Sequence, residues 1–203
     1  MIHRLFTGAA IVAAMVAAPA LAEQVNGRHA QNFALTDMHG KTVHLSDYLG
    51  KVVVLEWNNP GCPFVQKHYR SGNMQKTQAT ARESGVVWLT VNSGAPGKQG
   101  HMNGAEAQQF VSSQKATPTH YLLDPKGVVG HAYAAKTTPH MYIVDSDGTL
   151  VYQGGIDDKP TADPADIAGA RNHVLAALKE IRAGQPVSVA ETRPYGCSVK
   201  YAN

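Results

Sequence analysis

VVVLEWNNPGCPFVQKHY, residues 52–69, is the stretch on which the reading of this chain turns. Its first part, Val52 to Trp57, is a nearly continuous apolar run, the pattern of a strand buried on both faces of a sheet. A turn follows, with Cys62 at its end and Pro63 immediately after. Proline is favoured at the first helical position, so the pattern predicts a helix from Pro63 to about Tyr69 with Cys62 as its N-cap. There the unpaired N–H groups of the first turn and the positive end of the helix dipole face the sulfur, and both favour a thiolate. A buried, inert cysteine is the other reading of the same pattern.

Outward from this stretch the elements alternate. Gln31 to Leu45 reads as a hairpin turning at Asp37-Met38-His39-Gly40, and Ser46-Asp47 opens one helical turn. After a kink at Ser71-Gly72 a second helical piece reaches Glu83, and Val86 to Val91 is a further buried strand. Asn92 to Asn103, with three glycines and His101, reads as a mobile loop or an insertion. A helix over Gly104–Lys115, a strand at Tyr121–Leu123 and a short helix within Gly127–Ala135 come next. Thr137-Thr138-Pro139 leads into a strand at His140–Val144, whose hairpin partner is Thr149–Gln153. Residues 165–182 carry the strongest 3.6-residue period, and the tail from Gln185 has none and reads as flexible. Early βαβ units and a late hairpin predict an α/β fold: a mixed central sheet flanked by helices, with an N-terminal β-hairpin.

The 203 residues, 43% hydrophobic and 16% charged, suit one globular domain. Residues 1–22 read as a secretory signal peptide: a short polar start, an apolar run from Leu5, and Ala20-Leu21-Ala22 as the cleavage signal. The expected division is therefore signal peptide 1–22, domain 23–184 and tail 185–203, in a periplasmic or secreted protein with no membrane span after cleavage. The 18 basic and 15 acidic residues form no long basic run, which argues against nucleic acid as a partner. The two cysteines, Cys62 and Cys197, would meet an oxidising compartment in which disulfides persist.

The strand ending in Glu56-Trp57, followed by a turn, a cysteine and a helix, resembles the thioredoxin fold. EWNNPGCPFVQKHY, together with the hairpin FALTDMHGKTVHLSDYLGK, resembles exported redoxins of the alkyl hydroperoxide reductase/thiol-specific antioxidant group, over most of residues 31–182. The tail motif PYGCSVKY is similar to a signature of one exported redoxin subgroup. The resemblance implies a cis Thr138–Pro139 bond facing Cys62, with the Thr138 backbone forming a substrate groove. This chain also departs from the group. Val65 stands where a CxxC motif has its second cysteine, and Leu55 and Asn59 replace the proline and threonine of PxxxTxxC. The peroxide-polarising arginine has only Arg70 and Arg82 as candidates.

The chemistry expected from these residues is that of a thiol-dependent oxidoreductase. Cys62 is the nucleophile, and Cys197 is the resolving thiol that closes an internal disulfide. Glu56, at a strand end near the thiol, is a candidate proton carrier. A peroxide or a protein disulfide is the electron acceptor, an external thiol is the reductant, and no bound cofactor or metal is required. Two other readings stay open: a structural Cys62–Cys197 clasp, and a non-catalytic module binding a thiol partner or copper. The second would bring His140 or His101 to Cys62, since thiolate and imidazole suit Cu(I).

Overall fold

A computed structural model describes residues 26–202. The expected signal peptide lies outside the described residues. Seven strands form one sheet in the order β2-β1-β5-β4-β3-β7-β8. They are β1 (Ala34–Asp37), β2 (Thr42–His44), β3 (Val53–Trp57), β4 (Val87–Asn92), β5 (His120–Leu123), β7 (His140–Val144) and β8 (Leu150–Gly154). A separate two-stranded ladder joins β6 (Thr137–Thr138) to β9 (Cys197–Ser198). The helices are α1 (Pro63–Arg70), α2 (Asn73–Glu83), α3 (Gly104–Ser113), α4 (Val128–Ala132) and α5 (His173–Arg182). β3, β4 and β5 run parallel because helices connect them, whereas the β1–β2 and β7–β8 hairpins pair antiparallel. The expected N-terminal hairpin and mixed sheet are both present.

Side-chain alternation sorts the central strands between two cores. Val53, Leu55, Trp57, Val87, Leu89 and Val91 face one side, against Phe33, Val43 and the α4 residues Val129 and Ala132. Val54 and Trp88 face the other, against Val65 and Tyr69 of α1, Met74 and Ala81 of α2, and Val174 and Ala177 of α5. Both faces of β3 are therefore covered, as its apolar run predicts. Glu56 shares the parity of Val54, so its carboxyl enters the core beneath α1 and α2.

Two expectations need correcting. The long helix over 165–182 is broken: a 3-10 helix spans Pro164–Gly169, the chain is extended at Ala170, and α5 starts only at His173. Asn172 sets that start. Its side chain accepts from Leu175 N–H at 2.9 Å and donates to Thr77 Oγ1 at 3.1 Å, while Arg171 N–H donates to Asp158 at 2.9 Å. The tail, in turn, is tied down along its length. Gln153 N–H donates to Ala190 at 3.0 Å, Thr192 N–H to Gln153 at 3.1 Å, Val199 N–H to Lys136 at 3.1 Å, and Ala95 N–H to Lys200 at 2.8 Å. It crosses β8 at Gly154, where φ is 149° and a Cβ would stand 2.1 Å from Thr192 Oγ1. Among the described residues no helix is long and apolar enough to cross a membrane.

Candidate active site at the Thr138 edge

Cys62 is the N-cap of α1, with extended backbone and Pro63 at the first helical position. Its carbonyl accepts the first helical bond from Gln66 N–H at 2.9 Å, and its own N–H donates to Asn59 at 3.0 Å. Asn59 shapes the turn by accepting Gly61 N–H on its side chain at 2.9 Å. The sulfur thus sits where the turn and Pro63 place it, but it is fully buried, at 0% exposure.

The cover is the tail. The Thr138–Pro139 bond is cis, and Cys62 Sγ donates to the Thr138 carbonyl at 3.0 Å. β6 pairs antiparallel with β9, which sets Cys197 directly opposite Thr138. The two thiols lie within hydrogen-bonding reach of each other and are unbonded. The residues expected to form a substrate groove and the residue expected to resolve Cys62 therefore meet at one edge, and the chain's own Cys197 fills it. Gly196 makes this approach possible. Its φ is 128°, and a Cβ there would stand 2.1 Å from the Thr138 carbonyl oxygen.

The two sulfurs differ in acidity. Burial raises the Cys62 pKa. Donation from the Cys197 thiol, from Val65 N–H, from the Cys197 backbone and from the Thr138 hydroxyl outweighs that effect, and the thiol ends below its ordinary value. Cys197 moves the opposite way, pushed up by burial, by its donation to Cys62 and by the charge on Cys62, against a small opposing effect of Lys200. Of the two thiols, Cys62 is therefore the one that gives up its proton more readily.

Glu56 is completely buried and accepts five hydrogen bonds. Tyr69 OH (2.8 Å) and Asn58 Nδ2 (3.2 Å) reach Oε1. Trp88 Nε1 (2.9 Å), Thr90 Oγ1 (3.1 Å) and Gln78 Nε2 (3.4 Å) reach Oε2. Burial still wins over these donors and raises its pKa. None of the five bonds goes to a thiol. What Glu56 visibly does is fasten α1, α2 and β4 together beneath Cys62.

A second buried polar cluster had no pattern in the sequence to announce it. Asp157, just after β8, is covered by the tail residue Tyr195, whose hydroxyl donates to Asp157 Oδ1. Lys67 Nζ and His68 Nε2 of α1 lie 3.8 and 3.9 Å from Asp157 Oδ2, which makes no hydrogen bond. His68 also meets the Tyr195 hydroxyl at 3.3 Å and Asn73 Nδ2 at 2.8 Å. Burial holds its pKa down to about 4, against the pull of Asp157 and with a small push from Lys67. Tyr195 falls within the PYGCSVKY motif, so its neighbourhood was visible, but its partner was not.

Neither histidine considered for copper makes a hydrogen bond to a thiol. His140 Nδ1 accepts from Lys136 N–H at 3.3 Å and meets Tyr142 OH at 3.0 Å, while His101 Nδ1 bonds the Gly94 carbonyl at 2.8 Å. Among the described residues no group of three or more His, Cys, Asp or Glu side chains is arranged to hold a metal ion. The Asn92–Asn103 loop, expected to be mobile or an insertion, bonds back on itself and to the cysteine turn, through Asn92 Nδ2 to Gly100 at 2.8 Å and Asn59 Nδ2 to Gln99 Oε1 at 2.9 Å.

A thioredoxin-like sheet with a helix-capping cysteine facing a cis-proline edge defines a redoxin. The AhpC/TSA family profile matches residues 26–153, more than half of the chain, and the chain belongs to that family. A search of curated proteins finds no significant match. Among solved structures, an uncharacterized conserved protein from Geobacillus kaustophilus shares 26% identity at a TM-score of 0.78, covering 88% of this chain and 93% of its own. A hypothetical protein from Sinorhizobium meliloti, at 22% identity and a TM-score of 0.73, covers 89% and 97% and shares the fold. A Chlorobium tepidum structure named as the thiol:disulfide interchange protein DsbE shares 27% identity at 0.52, covering 64% and 84%. Family and neighbours together support a redox role.

Proposed function

We propose that this chain is an exported thiol–disulfide oxidoreductase whose redox couple is Cys62 and Cys197. The observation that carries this is the meeting of the two thiols at the Thr138 edge, with Cys62 the more acidic. The Cys62 thiolate attacks one sulfur of a substrate disulfide, forming a mixed disulfide and expelling the other sulfur as a thiolate. Cys197, losing its proton to that leaving group, then attacks Cys62. This closes Cys62–Cys197 and releases the second substrate thiolate. With a peroxide, the Cys62 thiolate attacks one oxygen, the O–O bond breaks and the other oxygen leaves as water or an alcohol, which makes Cys62 a sulfenic acid; Cys197 then condenses with it, forming the disulfide and releasing a second molecule of water. Two equivalents of an external thiol reduce the disulfide and leave as their own disulfide. Leu55 and Asn59 in place of the usual proline and threonine favour the disulfide substrate. Thr138 and Pro139 offer the main-chain edge on which such a substrate docks once the tail has moved aside. Glu56 supports the site by seating α1 and is proposed to exchange protons with it only indirectly.

The zero exposure of Cys62 favours a second reading, a structural clasp between tail and domain. Such a clasp stabilises by about 5 kcal/mol at most through loop entropy. Thiol mapping by mass spectrometry, across a glutathione redox series and after one equivalent of peroxide, separates the two. A Cys62–Cys197 bond that opens and recloses in the folded protein, with turnover abolished in Cys62→Ser, is the expected result. A bond that resists reduction until the protein unfolds supports the clasp. Equal turnover in wild type and Cys62→Ser overturns the proposal.

A further inference from the structure

Tyr195 and Cys197 are separated by one residue, yet each is held by a different grip. Cys197 is held by main-chain pairing with Thr138. Tyr195 is held by α1, the helix that Cys62 caps. Its ring stands edge-on to Phe64 at 5.9 Å between centroids, with Lys67 Nζ 5.8 Å from the ring centre, and its hydroxyl joins His68 and Asp157. Phe64 and His68 are one helical turn apart, so the phenol lies along the first turns of α1, beside the sulfur. Between the two grips, Gly196 leaves no room for a side chain. The linkage is a single residue long, so the seat of Tyr195 limits how far Cys197 can stray from Cys62.

We infer that Tyr195 is a positioning residue for the Cys62–Cys197 couple: seated on α1 and Asp157, it holds Cys197 at Cys62 and keeps Cys62 covered while both thiols are reduced. This rests on the reading of the two cysteines as a redox couple. An undocked tail offers its thiol only at the effective concentration of a flexible tether, on the order of millimolar. Docking raises that value, and the phenol contributes what the main-chain pairing alone does not. The Asp157 carboxylate makes the seat selective. Its Oδ1 keeps the Lys159 N–H at 2.9 Å but has Tyr195 as its side-chain donor, and its Oδ2 makes no hydrogen bond. A ring without the hydroxyl leaves a buried carboxylate short of a donor.

The test is the equilibrium of the Cys62–Cys197 disulfide against glutathione, together with the rate at which iodoacetamide reaches Cys62 in a Cys197→Ser background. Tyr195→Ala is expected to lower the disulfide-to-dithiol ratio at least tenfold, a shift of about 30 mV toward a more oxidising couple, and to raise the alkylation rate at least tenfold. Tyr195→Phe, which keeps the ring, should shift the ratio at least threefold in the same direction. A lower melting temperature with ratio and rate unchanged makes Tyr195 merely structural and overturns the inference. Should Tyr195→Ala not fold, Tyr195→Phe decides alone, and an unchanged ratio overturns it. If wild type forms no Cys62–Cys197 bond in oxidised glutathione, the couple itself has failed. If wild type forms the bond and the Tyr195 variants titrate identically, only the positioning role has.

Discussion

Replacing Glu56 by glutamine keeps the shape of the buried side chain and removes its charge, which sets two effects against each other. Five donors favour the carboxylate, and complete burial disfavours it; burial prevails, so the folded-state pKa lies above 4.5. A carboxyl raised in this way contributes stability that is fully present below the unfolded value and lost as pH rises through the folded one, because the folded protein holds the proton longer. The amide also has to fit the donors. Trp88 Nε1 can only donate, so the amide oxygen belongs at the Oε2 position and the nitrogen at Oε1. There the Tyr69 hydroxyl can turn to accept, but Asn58 Nδ2 is left facing another donor. One stranded donor costs about 1–3 kcal/mol. Glu56→Gln should therefore be less stable than wild type by about that much at pH 4. The gap should close as pH rises, by up to about 1.4 kcal/mol for each unit by which the folded pKa is raised. Glu56→Leu strands Asn58, Gln78 and Trp88 together, on the order of 3–9 kcal/mol, comparable to the whole stability of a domain. Urea unfolding of wild type and Glu56→Gln from pH 4 to pH 8 measures the gap, with other titrating groups cancelling in the difference. A gap that widens with pH would mean that the donors outweigh burial, and the reasoning fails.

Other expectations rest on separate features. Gly196→Ala places a methyl group 2.1 Å from the Thr138 carbonyl oxygen in a backbone conformation suited to glycine; β9 should lift, and Cys62 alkylation should speed up at least tenfold, whereas wild-type protection in this variant would refute the fit described here. The pH midpoint of Cys62 alkylation should lie below that of a free cysteine and rise in Cys197→Ala, which removes a donor to the thiolate; an unmoved midpoint would show that Cys197 does not touch it. His140 is held down to about 3 by burial first and by the Lys136 charge second. Unfolded chains therefore take up its proton on acidification, and stability falls between about pH 6.5 and 3 by up to ~1.4 kcal/mol per unit. His140→Gln should lose that one-proton slope in acid unfolding, and an unchanged slope would rule it out. Asn172→Ala removes the α5 cap and should cost about 1 kcal/mol in urea unfolding, and a cost near zero would show that the helix start is set elsewhere.

The parts of this structure legible in the sequence are those where one residue constrains its neighbours. The apolar run before Trp57 demanded a strand covered on both faces, and Pro63 made Cys62 a helix cap. The facing of Cys62 by Thr138–Pro139 came through resemblance to redoxins, since nothing local to residues 137–140 says what they face. Periodicity misled at residues 165–182: Ile167 and Ala170 keep the helical period, but main-chain and side-chain bonds around Asn172 break the helix. The tail was illegible for a related reason. Much of its hold comes from main-chain bonds to β8, to Lys136 and to Ala95, which any side chain could make, and the side chains that do anchor it, Tyr195 among them, follow no regular period. Asp157 lacked any signal, because its meaning depends on Tyr195, 38 positions later.

The path of the tail along β8 has a bearing on how the protein behaves in bulk. β8 ends the sheet, with β7 on one side only, and an open strand edge is a template for sticking to other chains. Here Ala190 and Thr192 take up the outward-facing N–H and carbonyl of Gln153, and Glu191 bridges to it. The segment that brings the second thiol to the first therefore also shields the sheet from its neighbours. A chain shortened before Gln185 would lose a cysteine and, in the same cut, gain an adhesive border. Aggregation of such a truncation would then report a bared strand rather than lost redox chemistry, and a Cys197→Ser protein that stays dispersed is the control that tells the two apart.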